Sequence, residues 1–245
     1  EAPYLGTVKD GALSLYDGMM RFVGTSGEVL ANFDASEYLD HVGEHTLDDS
    51  WLKATFIKSL GWPEGIYRVG PLARLNVAER IETPLAGAEH ALFKELGQGR
   101  PINWTMFYHY ARAIEVLYAA ERAKELLEDD SIVETEVRIK VGRQGGVGMG
   151  AIEAPRGTLI HHYEANDVGK IEKANIIVGT QHNGAAIDLS VDSVAKLSPI
   201  KGGITEKTVN DISMAVRCYD PCLSCSTHII GGGSNASRAL SRIIQ

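Results

Sequence analysis

VRCYDPCLSCSTH, residues 216–228, holds all three cysteines of a 245-residue chain and sets a histidine three positions after the last of them. Disulfide frameworks use an even number of cysteines at spread spacings, so this cluster reads instead as metal-binding or redox chemistry in a reducing compartment. Asp220 suits an N-cap, and Pro221 suits the first helical position, where a missing N–H is no loss. Cys222 and Cys225 then lie one turn apart. At about 100° per residue, Cys222, Cys225 and His228 share an arc of roughly 120°. Free N–H groups and the positive dipole end at a helix start favour thiolate over thiol, and thiolate is the metal-binding form. Soft sulfur ligands suit Ni, Fe or Zn rather than Mg or Ca. One reading is a Cys/His zinc site closed by Cys218, Cys222, Cys225 and His228, although four ligands in one short run crowd a tetrahedron. Another is that the thiols pack as small hydrophobes.

Outward from this stretch the chain is ordinary for a globular protein, with 44% hydrophobic and 23% charged residues, enough to build a core. A formal net charge of −8 argues against a nucleic-acid or anionic-membrane surface, which calls for a basic stripe. The EDD run at 128–130 reads as a solvated face. No run of eighteen apolar residues suggests a membrane span, and no signal peptide is visible after Glu1, so a cytoplasmic location is expected.

The first third reads as a meander, with short apolar stretches broken at Gly11, Gly18, Gly24 and Gly27. An N-cap signal at Asp34 or Ser36 precedes apolar Tyr38, Leu39 and Val42. GWPEGIYRVGPLARLNV, residues 61–77, reads as loop, strand, loop. Residues 84–97 carry Leu85, Ala88, Leu92 and Leu96 at helical spacing, and residues 103–128 carry Phe107, Ala111, Ile114, Leu117 and Tyr118 likewise. The aromatics around Trp104 read as core packing. Strict alternation over residues 133–141 predicts a strand. Residues 169–189 predict a strand followed by a loop, and 205–216 an amphipathic helix with Val209, Ile212 and Val216 on one face. The expectation is one α+β unit over residues 1–245, with helices packed against small mixed or antiparallel sheets.

The C-x3-C-x2-C spacing matches the iron–sulfur run of radical enzymes that use S-adenosylmethionine, but Ser224 stands where those enzymes carry an aromatic residue. A closer resemblance is carried by D-P-C-x-x-C-x-x-H at 220–228, GPLARLN at 70–76, EAPRGTLIHHYEAND at 153–167 with GKI at 169–171, and IIVGTQHNGAAI at 176–187. Together, in this order, they resemble the large subunit of nickel–iron hydrogenases, in its cytoplasmic multisubunit branch. That resemblance implies a Ni–Fe centre whose iron carries CN and CO ligands, with Cys222 a terminal thiolate on nickel and Cys225 bridging nickel and iron. It implies that His228 ligates a Mg or Fe ion beside the centre. Arg156 would hang over the open metal position, with Pro155 lining the same pocket. Asp220 would pair with Arg156, and Thr180 would donate to a cyanide. Cys218 has no such role and reads as a buried thiol. His161, His162 and His182 read as packing or hydrogen-bonding residues.

The implied reaction is reversible heterolytic cleavage of H2, with the metals acting as Lewis acids. The chain has no second cysteine cluster, hence no iron–sulfur cluster of its own, so electrons would leave through an iron–sulfur small subunit to electron-carrier reductase subunits. The family takes two further thiolates from an N-terminal R-x-C-G-x-C-like motif that this chain lacks. It therefore corresponds to the C-terminal portion of a large subunit, whose N-terminal part is a separate chain or lies outside this sequence. Residues 229–245 read as a maturation extension. The alternative class is a non-catalytic relative with a structural or proton-coupling role in a larger redox complex.

Overall fold

The computed structural model describes residues 1–48, 50, 52–139, 142, 144–197 and 205–226, with Cys225 and Ser226 described by backbone alone. The first third is the expected meander. Strands β1 (Tyr4–Lys9), β2 (Ala12–Leu13), β3 (Met19–Val23) and β4 (Val29–Phe33) form an antiparallel sheet in the order β2-β1-β3-β4. Asp10 and Gly11 join β1 to β2 with φ of 50° and 80°, the left-handed pair that a tight hairpin turn demands. The Asp34 signal is a full capping box: its carboxylate accepts from Ser36 N at 2.9 Å, and Glu37 accepts from Asp34 N at 3.0 Å. It opens only a 3-10 turn and the short α1 (Tyr38–His41). Val42 departs into strand β5 (Val42–His45), paired with β6 (Ala54–Ile57), rather than extending a helix.

Residues 71–77 form helix α2 (Pro71–Val77), not a loop. Gly70 turns the chain with φ of 92°, and Pro71 takes the first helical position. All seven residues are buried, polar Arg74 and Asn76 included. Helices α3 (Pro84–Leu96) and α4 (Phe107–Leu127) lie where expected, but α3 is rotated. Ala86, His90 and Phe93 are buried, whereas Leu85, Leu92 and Leu96 are exposed. Of the aromatic cluster, Tyr108 is core and Trp104 is exposed.

The strand expected at 133–141 does not form among its described residues, where a 3-10 turn at Asp130–Val133 leads into irregular chain. Val133, Val137 and Ile139 are exposed. Alternation alone cannot make a strand without a neighbour to take its backbone hydrogen bonds. The next sheet is an antiparallel meander of β7 (Gly146–Ala154), β8 (Gly157–Ala165) and β9 (Ile171–Ile177). Then follow α5 (Gly179–Leu197), where a loop was expected, α6 (Glu206–Cys218) and the short α7 (Leu223–Ser226). Helix α6 buries Ala215 and Cys218, while Val209 is exposed and Ile212 and Val216 are half-buried. Helices and small antiparallel sheets thus make the α+β fold. One core runs under α2 to α5 and a second lies among the sheets around Phe22, Tyr38 and Tyr67.

Candidate functional site

Three segments distant in sequence meet backbone to backbone. Pro155 and Arg156 form the two-residue turn between β7 and β8, paired Ala154 to Gly157. A Cβ on Gly179, at the start of α5, would lie 2.8 Å from the Arg156 carbonyl carbon and oxygen. One on Gly70 would lie 3.0 Å from the same oxygen, and one on Gly157 would strike Val69 at 2.2 Å. Glycine at these positions lets the three backbones close.

Side chains from α2, α4 and α5 lock the junction. Asn183 accepts from Val69 N at 2.9 Å and donates to Val69 O at 3.3 Å, and the Tyr108 hydroxyl donates to that same carbonyl at 3.0 Å. Arg74, only 2% exposed, makes a two-pronged ion pair with Glu115 at 2.6 and 2.7 Å and a second with Glu153 at 3.0 Å. It also donates to Ala154 O at 2.8 Å and Pro155 O at 3.0 Å, holding the turn that carries Arg156. The Arg74 guanidinium stays charged between its two carboxylates. Burial pushes the Glu153 carboxyl above the usual range despite bonds from Arg74, Thr158 and Thr7.

The Arg156 side chain reaches the segment after α6. Its Nε donates to Asp220 O at 2.6 Å and lies 3.3 Å from the Asp220 carboxylate. Asp220 does not cap α7. Its φ of +50° and its N–H bonded to Arg217 O at 3.1 Å mark it as the left-handed residue that ends α6. Pro221 follows because it cannot continue a helix. The Cys222 N–H donates to Thr180 Oγ1 at 3.2 Å, and Thr180 is 9% exposed in the first turn of α5. So Arg156, Asp220, Cys222 and Thr180 are brought together, and Pro155 lies on the same turn as Arg156. Cys222 is half-buried. The side chain of Cys225 and all of His228 fall outside the described residues, as does the 229–245 extension. Among the described residues no three His, Cys, Asp or Glu side chains are gathered as a metal site.

Cys218 points elsewhere. Its sulfur sits 3.4 Å from Met106 Sδ and 3.2 Å from Met214 O, and burial pushes its thiol up, away from the ligand form. The histidines pack as expected: His162 faces Tyr38 at 3.0 Å and His161 faces Tyr163 at 2.8 Å. His182 lies 2.5 Å from the Tyr67 hydroxyl, and burial lowers its pKa to about 3.

A family model described as nickel-dependent hydrogenase matches residues 9–228. The chain belongs to that family. The hydrogenase relatives include an F420-non-reducing hydrogenase of Methanothermobacter thermautotrophicus, one polypeptide of which is 42% identical over 94% of this chain and 49% of its own length. The NAD-reducing hydrogenase HoxS subunit beta of Cupriavidus necator is 40% identical over 91% of this chain and 46% of its own length. A crystal structure of an NAD+-reducing [NiFe]-hydrogenase in the H2-reduced state superposes with a TM-score of 0.85 at 41% identity, covering 93% of this chain and 51% of that one. The chain thus spans about half the length of the hydrogenases it matches.

Sequence reasoning missed the supports of this hydrogenase junction. Arg74 and Asn183 lie inside the motifs that carry the family resemblance, yet no signal short of the fold shows that they grip Pro155 O and Val69. Glu44 was missed too: it accepts from Asn175 at 3.0 Å and Gln181 at 3.4 Å, tying the β5 edge to the start of α5.

Proposed function

We propose that this chain supplies the C-terminal half of the catalytic subunit of a nickel–iron hydrogenase, one α+β unit that acts on H2. The supporting observation is the junction itself, where Arg156 on one turn, Thr180 on α5 and the Asp220–Cys222 segment meet. Their chemistry fits a soft-metal centre with anionic ligands: a half-buried thiol, a guanidinium on the neighbouring turn, and a buried hydroxyl bonded to the Cys222 backbone. Cys222 and Cys225 would hold nickel and iron, His228 an adjacent Mg or Fe ion, and two further thiolates would come from outside this chain. When bound, the Ni–Fe centre supplies Lewis acidity for heterolytic cleavage of H2.

The chain's own groups serve that chemistry by position and charge. Arg156 presents guanidinium N–H donors at the site, aimed by Asp220. Pro155 walls the same turn. Thr180 fixes the backbone of Cys222 and would donate a hydrogen bond to an anionic ligand such as cyanide. The Cys222 thiolate would serve as a base for a released proton. Electrons pass to an iron–sulfur small subunit, then to electron-carrier reductase subunits, in the cytoplasm. The N-terminal part of the large subunit completes the site. No described helix is long and apolar enough to cross a membrane.

Metal analysis of the anaerobically purified complex, paired with H2/D2 exchange, tests the reading. Nickel and iron near one each per chain, both lost together with exchange in Cys222→Ser, are expected. Neither metal would mark a non-catalytic relative, and zinc alone would return the Cys/His zinc site.

A further inference from the structure

Arg68 is 7% exposed, yet among the described residues no carboxylate lies within ion-pairing distance of it. Its NH1 donates to Asn103 O at 2.9 Å, its Nε is buried without a partner, and its guanidinium carbon stands 6.0 Å from the centre of the Tyr219 ring. Backbone bonds fix it in place, Leu5 N to Arg68 O and Arg68 N to Pro3 O, both at 2.9 Å. Arginine does not shed its proton, so this is a buried charge lacking a counter-charge, a costly arrangement unless one is supplied.

The guanidinium lines a groove of about 750 Å³ between α5 and α6. Trp104, Met106, Leu189 and Met214, all exposed, line it with Arg68. Glu1 and Asp211 border it without pairing with Arg68, and Asp211 is engaged by Lys207. The undescribed stretches 198–204 (SPIKGGI) and 227–245 contain no Asp or Glu. Asp49 is the one acidic residue among those the structure does not describe. Among the described residues no side chain neutralises Arg68, and the chain spans only about half the length of its hydrogenase relatives.

We propose that this groove docks an apolar segment carrying one Asp or Glu, which buries its carboxylate against Arg68 and belongs to the part of the hydrogenase that this chain does not span. The proposal rests on the chain acting within a larger assembly, not on which metals that assembly holds.

The test uses the purified complex with a photo-crosslinking residue at Leu189, which is exposed on α5 and lines the groove. Crosslinks are expected on an apolar segment outside residues 1–245 that carries an acidic residue. Crosslinks confined to 198–204 or 227–245, or to a segment without Asp or Glu, overturn the proposal. Arg68→Met then supplies a test of sign. With a docked carboxylate, the substitution strands that charge, and the yield of assembled complex falls more than about tenfold. Replacing the partner's acid by Leu in the same complex restores it. If Arg68 has no partner, Arg68→Met removes an unpaired buried charge and leaves assembly equal or improved, which overturns the proposal. Neither readout is catalytic activity, so a failure here is distinct from a failure of the metal reading.

Discussion

The first turn of α5 and the outer face of α3 reverse the usual relation between polarity and burial. Gly179, Thr180, Gln181, His182 and Asn183 are all buried, although none is a strong hydrophobe. Leu85, Leu92 and Leu96 of α3 stand in solvent at 60%, 50% and 51% exposure. The α5 turn is buried because its polar atoms are spent on neighbours: Asn183 on Val69, Thr180 on Cys222, Gln181 on Glu44 and Lys53 O. Polar groups enter a core when hydrogen bonds offset their lost hydration. The α3 leucines gain nothing from the core, because Ala86 and Phe93, with His90 bonded to Leu75 O of α2 at 2.8 Å, already fill the buried face. A contiguous row of exposed leucines is the kind of surface another polypeptide covers. The difference separates a region organised around a site from a face that lies outside the core.

The largest effect is expected where the polar region is most interdependent. Arg74→Met strands Glu153 and Glu115 and frees the Pro155–Arg156 turn, costing about 3–5 kcal/mol, read as a fall in thermal unfolding temperature together with loss of H2/D2 exchange. Arg74→Lys cannot replace a two-pronged guanidinium and recovers little of it. A neutral outcome at Arg74→Met would mean that the junction is held by backbone packing alone.

His182 gives the next effect, through pH. Its folded pKa is lowered from 6.5 to about 3 by burial. Between those values the unfolded chain binds a proton that the folded chain refuses, so stability rises with pH across that window and is lost as pH falls from about 6.5 towards about 3. The slope reaches about 1.4 kcal/mol per pH unit. Denaturation midpoints measured from pH 7 to 5 should show this loss, and His182→Phe should flatten it.

The smallest effect is expected on α3. Leu92→Gln should shift stability within about 0.5 kcal/mol, while Phe93→Ala, one residue on, costs about 3–5 kcal/mol, both read by chemical denaturation. If Leu92→Gln is costly in the assembled hydrogenase, the leucine face is covered there, and the contrast with α5 narrows to one of partner rather than principle.

Local signals placed the meander, an N-cap at Asp34 or Ser36 and helices α3 and α4, because turn glycines, caps and long apolar periodicity act over a few residues. Three expectations failed where neighbours at long range decide. The alternating stretch 133–139 has no strand to pair with. α2 and the start of α5 hide behind Gly and polar residues whose partners lie many tens of residues away. The faces of α3 and α6 were misjudged because periodicity marks apolar positions but does not say which of them the core takes up.

The sequence by itself determined which chemistry this protein has to offer: thiols crowded into a short run, a Pro-Arg-Gly turn, and glycine-marked motifs in family order. Residue type and spacing fix what a side chain can donate, accept or ligate. Only the tertiary structure decided that Arg156 meets Asp220 beside Cys222, that Arg74 holds the turn beneath them, and that Asp220 ends one helix instead of starting the next. Those outcomes depend on contacts between segments far apart in the chain, which form when packing and hydrogen bonds at the junction outweigh the entropy of bringing them together.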